Sequence, residues 1–128
     1  MAEQLSEQFM SALQDAERTG TLDALLALFH DDAEALNLGR TEPVQGREGL
    51  REFWQAYLSA FREIRSEFTH VVEGGSGSVL EWISRGTLPD GSPVEYRGVS
   101  VLEVEGGRVR KFRTYYDSAV FMPHGARS

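Results

Sequence analysis

The sequence predicts an α+β domain. Apolar residues recur at helical spacing through the first half and alternate at strand spacing through the second, where short turns rich in glycine separate the runs. Leu5, Phe9, Ala12, Leu13 and Ala16 mark an amphipathic first helix to about Arg18, broken by Thr19, Gly20 and Thr21. A shorter helix is expected over 22–29, capped by Thr21, with Leu22, Leu25, Leu26 and Phe29 buried. His30, Asp31 and Asp32 read as the solvated end of that helix, where an imidazolium would suit the dipole. A short strand over 33–38 is closed by Gly39. After a loop containing Pro43 and Gly46, the residues Leu50, Phe53, Trp54, Tyr57, Leu58, Phe61 and Ile64 define the strongest helix in the chain. Strands follow at 68–73, 79–88, 94–104 and 109–121, and their short connections imply an antiparallel meander. The expected layout is three helices packed on one face of a curved four-stranded sheet, with 122–128 as a frayed tail.

At 128 residues, with 41% hydrophobic and 10% aromatic content, one domain spanning 1–128 is expected, its ordered core at about 5–121. There is no cysteine, so disulfides, thiolate metal sites and cysteine nucleophiles are excluded, and a reducing cytoplasm fits. A net charge of -7, from 20 acidic and 13 basic residues, opposes binding to a phosphate backbone. The densest basic cluster, Arg108, Arg110, Lys111 and Arg113, is split across both faces of its strand, so no nucleic-acid partner is expected. Neither a leader-like start nor a long apolar run is visible, and the reading is a soluble, cytoplasmic protein without a membrane partner.

Three stretches, LDALLALFHDDAEALN, GREGLREFWQAY and GGRVRKFRTYYD, together resemble the SnoaL-like branch of the nuclear transport factor 2 superfamily, which includes the ketosteroid isomerase-like fold. The resemblance spans about Leu5 to Phe121. It implies a cone-shaped antiparallel sheet wrapped around the long helix, enclosing a blind apolar pocket for a small hydrophobic ligand. It also implies that the helix side of the sheet is the pocket face. Strand alternation then turns Ala35, Asn37, Glu81, Ile83, Tyr96, Ser100, Leu102, Phe112, Thr114 and Tyr116 inward, with Trp54 and Tyr57 reaching in from the helix. The loop 39–46 would sit at the mouth. Trp82, Val99, Val101, Val109 and Tyr115 fall on the other parity, an apolar set whose burial a homodimer through the outer sheet face would explain.

The chemistries of similar proteins can be tested residue by residue. The ketosteroid isomerase base would fall on Asn37, whose amide cannot take a proton from carbon, and its oxyanion pair near Phe9 and Ser100. The limonene epoxide hydrolase set keeps only Asn37; its arginine, aspartates and tyrosine become Glu81, Ile83, Thr114 and Ala35. A SnoaL-type polyketide cyclase would use an aspartate near Asp117, although parity turns that side chain outward unless a bulge intervenes. None of His30, His70 and His124 supplies a dehydratase-type pair. No metal motif stands out, and no cofactor is expected.

Three readings remain, one of them an accessory or structural dimer whose pocket is filled by its own side chains. The first is an acid–base enzyme of the isomerase, cyclase or dehydratase kind, with Glu81 or Asp117 as the catalytic carboxylate. The alternative is a non-catalytic module that binds an apolar metabolite. Against the catalytic role, Glu81 would pair with Arg85, Arg97 or Arg113, Asp117 would pair with Arg113, and Trp54 and Tyr57 would serve the core before a ligand.

Overall fold

The structure is a computed structural model describing residues 2–37 and 39–121. In chain order it contains α1 (Ala2–Thr19), α2 (Asp23–Leu26), β1 (Phe29–Asn37), β2 (Val44–Gln45), α3 (Gly46–Ser59), β3 (Glu63–Gly74), β4 (Gly77–Thr87), β5 (Pro93–Glu105) and β6 (Arg108–Tyr116). A 3-10 turn, Ser118–Phe121, closes the described chain, so His124 and the expected tail lie outside it.

The strands form a six-stranded sheet in the order β2-β1-β6-β5-β4-β3. Strands β3 to β6 make the expected antiparallel meander. The sheet is wider than expected because β1 lies parallel to β6 and carries β2 on its far side. This pairing corrects the reading of residues 29–32. Val109 donates its N–H to the Leu28 carbonyl at 2.8 Å, and the His30 ring meets the Glu105 carbonyl at 2.6 Å. A longer α2 would forfeit those bonds, so α2 is one turn and His30, Asp31 and Asp32 belong to β1. Thr21 does not cap α2; Leu22 occupies that position without a side-chain bond.

Helix α3 also stops earlier than its apolar pattern suggests. The Ala60 N–H closes the last turn on Ala56 and Tyr57, and the Arg62 N–H donates to the Thr87 carbonyl at 2.7 Å. Phe61 and Ile64 therefore stay buried without being helical, in a cluster with Trp82, Val94 and Tyr96. The larger core joins α1 and α3 to the sheet through Phe9, Phe29, Trp54 and Phe112, whose neighbouring rings lie 5.1–6.4 Å apart.

Along β4 the buried residues are Ser78, Leu80, Trp82 and Ser84. Successive side chains point to opposite faces, so Glu81 and Ile83 lie on the outer side, contrary to expectation. Trp82 and Val109 are correspondingly buried, not outer-face residues. Gly98 pairs with Trp82 across the sheet and leaves the space its ring occupies: a Cβ there would come within 2.5 Å of the indole.

Candidate functional site

A cavity of about 280 Å³ lies between α3 and the inner sheet face. Every predicted binding residue lines it: Trp54 and Tyr57 from α3, Asn37 from β1, Tyr96 and Ser100 from β5, and Phe112, Thr114 and Tyr116 from β6. The structure adds Phe53, Phe61 and Trp82 to the aromatic wall, and Ser66 and Ser84 to the hydroxyls. Among the described residues, no lining side chain carries a charge. The solvent-exposed lining residues, Ala56, Ala60 and Phe121, mark the opening at the end of α3 and beside the 3-10 turn. None of residues 39–46 lines the cavity, so the expected mouth is displaced.

The two predicted catalytic carboxylates stand elsewhere. Glu81 and Asp117 border an open depression on the outer face with Arg97, Val99 and Tyr115. The Glu81 side chain is 56% exposed and meets His70 at 3.2 Å, rather than any of the three expected arginines. Arg85 bonds Glu67 and Glu95 instead, and Arg113 bonds Glu103. Asp117 accepts the Ala119 N–H at 3.0 Å, a local role at the start of the 3-10 turn.

Hydrogen bonding divides the polar wall into two networks. On the first side the Trp82 N–H donates to Ser100 at 2.9 Å, and Ser100 meets Thr114 at 2.9 Å. Asn37 accepts the Gly39 N–H at 3.0 Å. On the other side Glu17, from the last turn of α1, stands behind the wall. It accepts from the Tyr57 hydroxyl at 2.6 Å, the Ser66 hydroxyl at 2.6 Å and the Ser66 N–H at 2.8 Å. Ser66 also meets Ser84 at 2.7 Å. Burial raises the Glu17 pKa above its ordinary value, and the bonds from Ser66 and Tyr57 only partly offset this. Burial beside that carboxylate also holds the Tyr57 hydroxyl firmly protonated.

Glu17 was missed, although a signal existed. Leu5, Phe9, Leu13 and Glu17 follow one another at four-residue spacing, so the carboxylate continues the buried stripe of α1. Trp54 adds a further anomaly. Its residue is only 3% exposed, yet its indole N–H meets no hydrogen-bond partner among the described residues.

This helix-backed sheet with a cavity beneath α3 is the fold of the nuclear transport factor 2-like proteins, including those called ketosteroid isomerase-like. The chain belongs to the SnoaL-like domain family, whose profile matches residues 7–112. It resembles a nuclear transport factor 2-like protein from Anabaena variabilis at 19% identity, with 91% of this chain and 90% of that one covered and a TM-score of 0.83. A protein described as a SnoaL-like polyketide cyclase from Jannaschia sp. is similar at 17% identity, with 94% of each chain covered and a TM-score of 0.79. One described as an isomerase from Rhodopseudomonas palustris is 19% identical over 91% of this chain and 92% of that one, with a TM-score of 0.79. At these identities the likeness concerns the fold. No curated protein matches the sequence.

Proposed function

We propose that this chain binds a small, uncharged, ring-containing molecule in the cavity beneath α3. The observation that carries this reading is the wall itself: among the described residues it presents aromatic rings and hydroxyls without a charged side chain. Charged ligands would lose hydration there without a counter-charge, whereas a neutral ring system gains apolar contact. The volume suits a molecule of one to three rings.

The neutral fluorophore N-phenyl-1-naphthylamine tests the site. Saturable one-to-one fluorescence enhancement is expected from the wild type. Ala56→Trp, placed on an exposed helical position at the opening, should weaken it by roughly tenfold or more through steric filling. Undiminished uptake by that variant would put the probe elsewhere and remove the cavity from the reading.

Turnover of the isomerase, cyclase or dehydratase kind is the second reading, favoured by the carboxylate behind Tyr57 and Ser66. We also propose that two copies pair through the outer sheet face. The register sets Val79 beside Val101 and Val99 beside Tyr115, forming an apolar strip across β4, β5 and β6.

A further inference from the structure

Each hydroxyl of the cavity wall has one proton to give, and its bonds say where that proton goes. Tyr57 and Ser66 both donate to one Glu17 oxygen at 2.6 Å, while the Ser66 N–H holds the other at 2.8 Å. Ser66 has no second hydroxyl proton, so Ser84 is the donor in the 2.7 Å bond between them. Across the cavity Thr114 donates to the Val99 carbonyl at 3.4 Å, which leaves Ser100 as the donor to Thr114. These lining hydroxyls therefore spend their protons inside the protein. Whichever of their oxygens a ligand meets, it meets a lone pair.

Glu17 fixes this polarity where α3 and β3 form the wall. An ionised carboxylate only accepts, so it turns both hydroxyls toward itself. The groups facing it are Tyr57 from α3 and Ser66 from β3, with Tyr96 of β5 beyond them, and no cation is among its bonding partners. Tyr57 and Ser66 are half-buried residues of the wall, whereas Glu17 stands behind it.

We propose that Glu17, a positioning residue that does not touch the ligand, makes the cavity select a neutral ring compound that donates a hydrogen bond over one that only accepts. The inference rests on the cavity being the ligand site. A ring N–H or O–H finds an acceptor on such a wall. An acceptor-only ring gives up its bond to water and meets further lone pairs, a loss that is not repaid. The donors of Tyr116 and of the Asn37 amide belong to β6 and β1 and are the same in every chain compared below. Glutamine in place of Glu17 would invert the local polarity at constant shape. The Ser66 N–H requires a carbonyl oxygen at its end of the side chain, so the glutamine NH2 group must face the Tyr57 and Ser66 oxygens. Both hydroxyls then accept from it, and their protons are released to other partners, a ligand among them.

Calorimetry in alkaline buffer, where Glu17 is ionised, compares indole, which only donates, with quinoline, which only accepts; both are neutral fused pairs of rings. Wild type should bind indole about tenfold more tightly than quinoline. Glu17→Gln should reverse that order, which loosened packing alone, weakening both probes, would not do. Tyr57→Phe keeps the ring and both Ser66 bonds to Glu17. It should weaken indole by about threefold or more and leave the quinoline Kd unchanged or lower. Ala56→Trp should weaken both probes together, which ties them to the cavity. A wild type that binds quinoline as well as or better than indole overturns the proposal, as does a preference that both Glu17→Gln and Tyr57→Phe leave unaltered. If such a chain still takes up N-phenyl-1-naphthylamine, the ligand-site reading stands. If neither probe nor that fluorophore binds, the site and its selectivity fall together.

Discussion

At the scale of the residue, burial alters the proton affinity of the Glu17 carboxylate on the helix side of the sheet. Glu17 holds its proton more tightly in the folded chain than in the unfolded one, because burial disfavours its charge. The folded pKa is thus the higher, and any stability linked to it is fully present below the ordinary glutamate range, near pH 4.3, and is lost as pH rises through the raised value. Subtracting the denaturant stability of Glu17→Gln from that of the wild type across this window should therefore give a difference that falls with pH. A flat difference would show that Glu17 is solvated like any surface glutamate. The sequence hid this residue because one carboxylate at the end of an amphipathic helix looks like its polar edge. Glu81 misled for the opposite reason. Val79 and Ile83 at the parity of Glu81, and Leu80 and Trp82 at the other, are all large and apolar, so alternation alone could not say which face was buried.

At the scale of the element, the sheet was legible where punctuation was strong and illegible where pairing decided. The turns at 74–77, 89–92 and 106–107 bounded the antiparallel strands within a few residues. The start of β1 was not readable, since its ladder partner is remote in sequence and the run LDALLALF is an acceptable helix by itself. The inner face of β5 was readable because Tyr96, Ser100 and Leu102 alternate with charged or outer-face neighbours. Strand β5 also offers a test of close packing. Gly98→Ala would push a methyl to 2.4 Å from the Tyr115 carbonyl oxygen and 2.5 Å from the Trp82 ring, contacts that neither neighbour can accept without shifting. A loss of about 1–3 kcal/mol in urea unfolding is expected. Neutral behaviour would mean that the two strands separate readily at this point.

At the scale of the whole molecule, family and fold class were legible from three stretches distributed over the chain, and the family profile spans the same region. The assembly is a proposal that the outer face makes testable. The strip of Val79, Val99, Val101 and Tyr115 is flanked by the ion pairs of Arg85 and Arg113, so a lysine in its middle should repel a second copy while leaving the interior untouched. Sedimentation velocity should find a dimer for the wild type and a monomer for Val101→Lys. A wild-type monomer at micromolar concentration would remove the pairing.

The parallel contact between β1 and β6 bears on how the chain is made. During synthesis β1 emerges early, yet its ladder along one edge is completed only when residues from about 108 onward have left the ribosome. Until then one hydrogen-bonding edge of β1 has no strand beside it, and Phe112, Thr114 and Tyr116 are not yet available to the cavity wall. The cavity therefore cannot be complete in the nascent chain, and it closes in one late step with the last strand.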